Sequence, residues 1–548
     1  MNPLNDQAIL QVARRILNIT ELRPGQTEAI EALLKGSDVL AVMPTGWGKS
    51  AIYQLAAQFL DGPVVVVSPL IALELDQMAM IEGEHAGRAV TIHSLQSAGE
   101  RRTALDNLEE DGLVFVFLAP EQLTNPETLE RLKRHRPALF VVDEAHCISD
   151  WGHDFRPDYL ALGIVVTDLG HPPVLALTAT ASPPVREEIV ARLSLREPTI
   201  IVRGFDRPNI WLGVELFNDE RTKREAVLQF IDTAARPGIV YVATRQHTDE
   251  IADAMRKRGL PAAAYHAGMS RDRRDSAQQQ FMDGSAEIIV ATIAFGMGID
   301  HQNVRFVAHY DIPASVDAYY QEIGRAGRDG KRSEARLFYS PNDLSLQRFL
   351  SGGPHIDLKA IESLTRDLVR AKQPTDLKAL PTRTRLSAPK LRGAVARLEA
   401  IGAIEWPTSG TLAMRHDAPS IEAILAELET QAERRRRLEL SRVEMMRRFA
   451  ELQGCRRKFI LNYFGEDFEA PCNACDNCQA GKVARGSDGA APFPLASEVE
   501  HPAFGRGLVQ HYEDGAITIL FNDAGYKVFD LKSVLDRQLL RSVPNSGM

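Results

Sequence analysis

Short apolar runs recur along the first 350 positions, and segments with helical periodicity separate them. The first set of runs predicts strands at 40–44, 64–69, 113–120, 139–144 and 174–180. A second set predicts strands at 238–244, 261–267, 287–292 and 304–311. Because strands covered on both faces are apolar at every position, the two sets favour parallel sheets in two successive α/β units.

The pattern changes near residue 355. Helices are predicted at 356–371, 375–380 and 387–400, and two short strands about a turn are predicted within 404–415. Three helices with a β-wing are typical of a winged-helix domain. An ordinary small helical domain is the alternative.

Beyond the wing, the character of the chain changes twice more. Residues 420–464 predict a long charged helix that leads into a group of cysteines. Residues 479–496 are rich in Gly, Ala and Pro and predict a linker. Residues 497–541 hold apolar runs separated by turn residues, which predict a small β-barrel.

The composition fits a globular protein of 548 residues, with 44% hydrophobic and 25% charged positions. No apolar run of about 18 residues occurs, so we expect no membrane span. The N-terminus lacks a secretion signal, so we expect a cytoplasmic protein, associated with the nucleoid if bacterial. The net charge of −9 argues only weakly against a nucleic-acid partner, because local basic clusters such as Arg434 to Arg437 occur.

The stretch MPTGWGKS, residues 43–50, lies between an apolar strand and a helical run. Glycines let backbone N–H groups curl around phosphates, Lys49 can reach the β- and γ-phosphates, and Ser50 can ligate Mg²⁺. The strict motif has Gly where Met43 stands, but the form Pro-Thr-Gly-x-Gly-Lys-Ser still predicts a nucleotide site. Its other loop residues are Thr45, Gly46 and Gly48.

The stretch VVDEAH places two acids at the end of a predicted strand. Phosphoryl transfer needs a carboxylate for Mg²⁺ and a group that orients or deprotonates the attacking water. Asp143 is the candidate for the first role and Glu144 for the second. A solvated strand terminus is the alternative.

The stretch QEIGRAGRDG, residues 321–330, lies in the second α/β unit. Arg325 and Arg328 are three residues apart, on one face if the segment is helical. Since the guanidinium fork suits phosphate oxygens, one of them can act as an arginine finger if this unit faces the first. A surface arginine pair is the alternative.

Four of the five cysteines follow the pattern C-x16-C-x2-C-x2-C. Pairs separated by two residues can share one tetrahedral Zn²⁺, and four thiolates close a structural site. We therefore predict a zinc site whose role is folding rather than catalysis. The predicted ligands are Cys455, Cys472, Cys475 and Cys478.

Residues 20–345 resemble the RecQ family of superfamily 2 DNA helicases, motif by motif. The resemblance rests on ELRPGQTEAI, MPTGWGKSAIYQ, VVSPLIALELDQ, DEAHCISDWGHDFRPDYL, LTATA, FDRPNI, YVATRQHTDEIA, YHAGMS, ATIAFGMGIDHQNVRFVAHYDIP and YYQEIGRAGRDG. It implies two RecA-like lobes with Mg-ATP in their cleft and single-stranded DNA across their top. The cysteine region, with CRRKFILNYFGE and CNACDNC, resembles the RecQ zinc module.

The resemblance also implies roles for residues that the spacing of charges does not single out. It implies that Arg23 and Gln26 contact the adenine base. The other implied site residues are Gly298 and Asp300 at the nucleotide, Gln321 beside the two arginines, and Ser68 at the DNA.

The polar loop after the acid pair carries large aromatic residues. Aromatic rings and arginine planes can stack on any base, which suits sequence-independent binding of single strands. The resemblance implies that this loop senses single-stranded DNA and couples its binding to the acid pair, whereas core aromatics are the alternative. The loop residues are Trp151, His153, Phe155 and Arg156.

We therefore predict an α/β protein with two tandem RecA-like lobes followed by smaller domains. The predicted units are lobe 1 at 1–207, lobe 2 at 208–350, a winged-helix-like domain at 351–418, a helical zinc module at 419–480, a linker at 481–496 and an SH3/Tudor-like β-domain at 497–548. The family usually carries its winged helix after the zinc module, so this order differs. A repositioned wing and a different strand-separating element are both open.

The β-domain resembles the small Tudor/SH3-like barrel at the end of some superfamily 1 helicases, through His-Pro-x-Phe-Gly-x-Gly. Protein docking or DNA contact is one expectation for it, and a stability cap is the other.

The resemblance implies an ATP-dependent helicase that moves 3′→5′ on single-stranded DNA and unwinds duplexes in repair or recombination. An RNA helicase is one alternative, and an annealing or remodelling ATPase is another. The expected cofactors are ATP, Mg²⁺ and Zn²⁺. The expected partners are single-stranded and tailed or forked DNA and a protein that binds the β-domain, with no membrane and a monomer favoured.

Overall fold

The fold is seen in a computed structural model of the chain. The structure describes residues 6–69, 78, 81, 87–93, 96, 98–106, 114–123, 125–149, 156–296, 301–351, 357–371, 373–377, 379–408, 411–483, 491–513 and 515–543. Among these residues, no helix combines the length and the apolar character needed to cross a membrane.

Lobe 1 contains a sheet whose described strands are all parallel. In spatial order they are Arg88–Ile92, Val114–Leu118, Val64–Val67, Leu139–Val142, Val174–Thr178, Val39–Val42 and Thr199–Val202. The flanking α-helices are Asp6–Leu17, Gln26–Leu34, Lys49–Ala57, Ala98–Asp106, Pro126–His135, Leu162–Asp168 and Pro183–Arg192, with 3₁₀ turns at Pro120–Gln122, Ala145–Ile148 and Pro157–Tyr159. The apolar runs are therefore parallel strands, as predicted.

Alternate residues of these strands enter two different cores. Val65 and Val67 pack in one cluster, whereas Val64 and Val66 pack in a second cluster on the opposite face. Both faces of the sheet are covered, which explains why the strands are apolar at every position.

Lobe 2 contains a second parallel sheet. Its described strands, in spatial order, are Ala262–Tyr265, Ile288–Ala291, Gly238–Tyr241, Phe306–His309, Ser333–Tyr339 and Ile210–Leu216. Its helices are Glu220–Thr233, Arg245–Lys257, Arg271–Met282, Val316–Ile323 and Asp343–Ser351. The chain passes from the first sheet to the second between residues 203 and 209.

The winged-helix-like domain contains the helices Leu358–Arg370, Leu380–Thr384 and Ala388–Ala400. Its small antiparallel sheet pairs Thr411–Met414 with Thr375–Asp376 on one side and with Ile404–Thr408 on the other. The predicted helix at 375–380 is therefore wrong. Thr375 and Asp376 pair with the wing, and the helix begins only at Leu380.

The zinc module begins with a long helix, Ile421–Glu451, and continues with the helices Arg456–Tyr463 and Asp476–Gln479. The two ends of the long helix belong to different cores. Ile424 and Leu428 pack with the winged-helix-like domain, whereas Phe449 packs with the core that the zinc module shares with both lobes. The long helix therefore connects the wing to the rest of the molecule.

The β-domain has an antiparallel sheet with its own apolar core. Its described strands, in spatial order, are Gly525–Asp530, Ala516–Phe521, Gly505–Glu513, Glu498–His501 and Arg541–Ser542, and its helix is Leu531–Asp536. Leu520 and Tyr526 leave this core and pack against the zinc module. The domain is therefore attached to the rest of the chain by apolar contact.

Candidate functional site

The phosphate-binding loop lies between the strand Val39–Val42 and the helix Lys49–Ala57. Gly46 and Gly48 both have φ of +77°, a conformation that favours glycine. A Cβ at Gly48 would also lie 2.8 Å from the Nε2 atom of Gln26. The loop therefore needs glycine at both positions, and it brings Lys49 and Ser50 to a helix N-terminus, where anions bind.

The predicted base-contacting residues lie against this loop. The Gln26 side chain donates hydrogen bonds to the carbonyls of Trp47 (3.2 Å) and Gly48 (2.9 Å). The Arg23 guanidinium donates to the Gly46 carbonyl and lies 5.4 Å from the centre of the Trp47 ring. The structure thus brings Arg23 and Gln26 to the phosphate loop, although they precede it by about twenty residues.

Lys49 lies between the phosphate loop and the acid pair. Its Nζ atom donates to the carbonyl of Met43 at 3.2 Å. Burial lowers its pKa, and the negative charges of Glu144 and Asp143 oppose that shift. Lys49 therefore occupies a poorly solvated position, where an interaction between its ammonium and phosphate would be strengthened.

The acid pair follows the strand Leu139–Val142, next to the phosphate loop. The Glu144 backbone N–H donates to the Asp143 carboxylate at 2.9 Å, and the Tyr159 hydroxyl donates to the Asp143 carbonyl at 3.1 Å. Burial, and then the charge of Glu144, raise the pKa of Asp143 to about 6. A buried carboxylate beside a partly buried one makes a site that favours a cation.

Glu144 has φ of +47°, a rare conformation for a residue with a side chain. One of its carboxylate oxygens lies 3.3 Å from Nδ1 of His146. The same nitrogen lies 3.0 Å from the hydroxyl of Thr178 in the LTATA motif. The acid pair is thereby connected to the neighbouring strand, and the strained backbone fits a functional position.

The two arginines of lobe 2 face different ways. Carbon atoms of the Arg328 side chain lie 3.5–3.8 Å from where a Cβ on Gly46 would be, so Arg328 reaches the phosphate loop of lobe 1. Arg325 is only 7% exposed and lies beside Gly296 and Tyr241 of its own lobe. Of the two candidates, Arg328 is the one that crosses the cleft.

Gln321 lies on the helix Val316–Ile323, which precedes both arginines. The next residue, Glu322, lies 2.7 Å from Nε2 of His309 on the central part of the lobe 2 sheet. The segment after the helix is also braced, because Arg207 donates to the carbonyls of Gly324 (3.1 Å) and Ala326 (2.9 Å).

Arg207 is a site residue that sequence reasoning missed, and Asn209 is another. The Asn209 side chain donates to the Gly327 carbonyl at 2.8 Å, directly before Arg328. Both residues belong to the FDRPNI motif at the crossing between the lobes. The FDRPNI motif could have singled out these two residues. The segment that they contact, however, lies more than 100 positions further along the chain.

The predicted DNA residues are only partly described. Ser68 is fully buried, and within the described residues its hydroxyl has no hydrogen-bond partner. The Arg156 guanidinium donates to the Pro69 carbonyl at 3.0 Å, which joins the loop after the acid pair to the motif that contains Ser68. The predicted site residues outside the described part of the chain are Trp151, His153, Phe155, Gly298 and Asp300.

The four predicted metal ligands come together. The Sγ atoms of Cys455, Cys472, Cys475 and Cys478 all lie within 4.8 Å of one another. Four thiolates at this separation form the donor set of a closed tetrahedral zinc site. The cluster therefore fits structural Zn²⁺, as the spacing predicted.

The cysteine cluster is attached to the edge of the lobe 2 sheet. The Leu212 N–H of the edge strand donates to the Ala474 carbonyl at 3.1 Å, and the Val214 N–H donates to the Asp476 carboxylate at 3.0 Å. The same aspartate pairs with Arg456 at 2.6 Å. The segment that would hold the metal therefore also covers an edge strand of the lobe 2 sheet.

We expect Cys475→Ser to lose bound zinc and to lower the thermal stability of the protein, because a buried ligand of a closed site is removed. Zinc content by atomic emission and the melting temperature check this. The matched control is Cys147→Ser, since Cys147 is also buried but lies outside the cluster. Full zinc content in Cys475→Ser would contradict the assignment.

Comparison with known families matches three consecutive parts of the chain. Residues 23–189 match the DEAD/DEAH box helicase family, and residues 222–330 match the helicase conserved C-terminal domain. Residues 415–479 match the RecQ zinc-binding family. The last match covers the cysteine cluster.

Named relatives cover most of the chain. The probable ATP-dependent DNA helicase RecS of Bacillus subtilis is 36% identical over 474 residues, which is 85% of this chain and 91% of that protein. The ATP-dependent DNA helicase RecQ of Haemophilus influenzae is 34% identical over 86% of this chain. The chain spans 63% of that RecQ, so the match to it is less complete.

Solved structures confirm the fold. The DEAD-box helicase Mss116 bound to single-stranded RNA and UDP-BeF matches with a TM-score of 0.52, over 84% of this chain and 90% of that one, at 16% identity. Mycobacterium smegmatis helicase Lhr, bound to single-stranded DNA and AMP-PNP, matches with a TM-score of 0.50, over 78% and 60%, at 21% identity.

These similarities agree with the two parallel-sheet lobes, the nucleotide site between strand and helix, and the four-cysteine cluster. The chain belongs to the RecQ family of ATP-dependent DNA helicases.

Proposed function

We propose that the chain is a 3′→5′ DNA helicase that couples ATP hydrolysis to movement along single-stranded DNA and to duplex unwinding. The observation that carries this proposal is the approach of Arg328 in lobe 2 to Gly46 in lobe 1. A site assembled from both lobes makes hydrolysis sensitive to their relative position, as a motor requires. The name of the relative RecS, a probable ATP-dependent DNA helicase, supports the same activity.

In this proposal the nucleotide lies between the loop and the second lobe. Arg23 and Gln26 contact the base, and the backbone of Thr45 to Ser50 and the Lys49 ammonium hold the phosphates. Ser50 and Asp143 would hold Mg²⁺, which neutralises phosphate charge when bound. Glu144 orients or deprotonates the attacking water, and Arg328 stabilises charge on the transferred phosphoryl group.

Arg325 and Gln321 have a supporting role in this scheme. Arg325 is buried beside Tyr241 within its own lobe, so we assign it to positioning the segment that carries Arg328. Gln321 lies on the preceding helix and is proposed to contact the nucleotide side of the cleft. Gly298 and Asp300 are proposed to join them from the adjacent motif.

The DNA is proposed to lie across the top of both lobes. Trp151, His153, Phe155 and Arg156 would contact single-stranded bases, because stacking on aromatic and guanidinium planes is independent of sequence. Arg156 donates to the carbonyl of Pro69, next to Ser68, so the loop and that motif would respond together. We propose tailed or forked DNA as the substrate, a monomer as the active form, and repair or recombination as the process.

The experiment that tests the function is ATP-dependent strand separation on a duplex with a 3′ tail, compared with one with a 5′ tail, in DNA and in RNA. We expect unwinding of the 3′-tailed DNA only. Unwinding of the 5′-tailed duplex would refute the polarity, and unwinding of RNA alone would refute the substrate. DNA-stimulated hydrolysis without strand separation would identify an annealing or remodelling ATPase instead.

A further inference from the structure

The role of the β-domain is not explained by the nucleotide, DNA or zinc sites. Its strand Gly525–Asp530 begins directly against the long helix Ile421–Glu451 of the zinc module. The Tyr526 N–H donates to the Ser441 hydroxyl at 3.1 Å, and that hydroxyl donates to the Leu438 carbonyl at 2.7 Å. The backbone of the β-domain thus binds the backbone of the helix through one serine.

Gly525 permits this close approach. It has φ of +67°, and a Cβ there would lie 3.0 Å from Cβ of Ser441 and closer still to its hydroxyl. It would also lie 3.5 Å from Cα of Leu438. A side chain at this position would push the β-domain away from the helix.

A chain of hydroxyl groups continues from this contact into lobe 2. The Tyr526 hydroxyl donates to the Tyr463 hydroxyl at 2.9 Å, and the Tyr463 hydroxyl donates to the carboxylate of Asp317. The two tyrosine rings stack with centroids 5.7 Å apart. All three residues are at most 8% exposed, so water does not compete with these bonds.

Arg442 completes the cluster. It is 3% exposed, and its charge acts on Asp317, Tyr463 and Tyr526. Burial, followed by the charge of Asp317, raises the pKa of Tyr463 well above its usual value. Both tyrosines therefore keep their hydroxyl protons at neutral pH and can act as donors.

Asp317 lies in the first turn of the helix Val316–Ile323, which leads to Arg325 and Arg328. Other contacts hold the later part of this helix: the Tyr319 ring lies 4.9 Å from the ring of Phe449, and the Tyr320 hydroxyl donates to the Phe205 carbonyl at 2.9 Å. Through Asp317, the tyrosine pair fixes the beginning of the helix. Contacts from lobe 2, the zinc module and the β-domain together thus set the position of the helix.

We propose that the β-domain is a positioning element of the motor: Tyr526 and Tyr463 hold Asp317, and through it the helix that aims Arg328 at the nucleotide. This inference rests on the proposed role of Arg328. It assigns Tyr526, Tyr463 and Asp317 as positioning residues, since none of them reaches the nucleotide site. The β-domain then contributes to the rate of hydrolysis.

The first test removes single hydroxyl groups from the full-length protein. Tyr526→Phe and Tyr463→Phe are expected to lower the kcat for DNA-stimulated ATP hydrolysis about tenfold, because small misplacements of a group that acts in the transition state are costly. The KM for ATP and the zinc content are expected to stay unchanged. The matched control is Tyr512→Phe, whose hydroxyl donates at 2.7 Å to the carbonyl of Phe493, a residue just before the β-domain that packs in its apolar core.

The second test moves the β-domain away from the helix. Gly525→Ala is expected to lower kcat at least as much as Tyr526→Phe does. The matched control is Gly515→Ala, because Gly515 has a similar φ of +75° in the same domain but nothing within 4 Å of an added Cβ. If Gly525→Ala fails to fold, Tyr526→Phe decides the question.

A double-mutant cycle separates positioning from general stability. In a protein that already carries Arg328→Ala, Tyr526→Phe is expected to cause no further loss of kcat, because both changes act through the same contact. Additive losses would overturn the proposal, and so would wild-type kcat in both Tyr526→Phe and Gly525→Ala, even with a lowered melting temperature. Wild-type protein is measured first: if it hydrolyses no ATP with any DNA, the proposed function fails rather than this inference.

Discussion

Arg328→Ala is expected to lower the kcat for DNA-stimulated ATP hydrolysis about 10³-fold, the scale at which arginine fingers act in phosphoryl transfer. Arg328 approaches Gly46 of the phosphate loop from the opposite lobe. In the proposed function, its removal takes away the positive charge that the second lobe brings to the γ-phosphate. Steady-state hydrolysis with saturating single-stranded DNA measures the effect.

Two variants make this result specific to the position of the arginine. Arg332→Ala removes an exposed arginine from the same segment and is expected to keep wild-type kcat. Arg325→Ala is expected to have a smaller effect than Arg328→Ala, because Arg325 is buried within its own lobe. If Arg325→Ala were the more damaging change, the assignment of the finger to Arg328 would be wrong.

Glu144→Gln is expected to lower kcat by about 10³-fold while ATP and ADP still bind, because the amide keeps the size of the carboxylate but cannot accept a proton. The neighbouring Asp143 and the phosphate loop are left in place. Equilibrium binding of a fluorescent ADP analogue and single-turnover hydrolysis separate the two effects.

The control for this change is Asp158→Asn, which neutralises an exposed acid in the segment that follows the loop. It is expected to leave both binding and hydrolysis unchanged. Substantial hydrolysis by Glu144→Gln, with nucleotide affinity intact, would show that another group activates the water.

The sequence predicted those parts of the fold in which a local pattern of apolar residues is compatible with only one kind of element. Central strands such as Val64–Val67 are apolar because both faces are covered, so their pattern is unambiguous. Two strands on one side of the lobe 2 sheet were missed for the opposite reason. The edge strand Ile210–Leu216 and its inner neighbour Ser333–Tyr339 have partly exposed positions, and Ile210–Leu216 owes its cover to the zinc module, which is more than 200 residues away.

The candidate site shows the same limit. Lys49, the acid pair and the four cysteines were found because their spacing alone carries their chemistry. The choice between Arg325 and Arg328, and the brace formed by Arg207 and Asn209, depend on contacts between distant segments. Spacing along the chain contains no information about which of two nearby side chains crosses a cleft.

The long helix Ile421–Glu451 has a mechanical consequence. Phe449 is fixed in the core shared with the lobes, whereas Ile424 belongs to the core of the winged-helix-like domain, about 38 Å away along the axis at 1.5 Å per residue. A rigid rod of this length acts as a lever arm. A tilt of about 10° at the motor end would swing the wing by about 6 to 7 Å, close to two base-pair steps of about 3.4 Å each. The wing, which precedes the zinc module in the chain, is thus coupled to the lobes through this helix as well as through the contact of its helix Ala388–Ala400 with the lobe 1 turn Pro157–Tyr159.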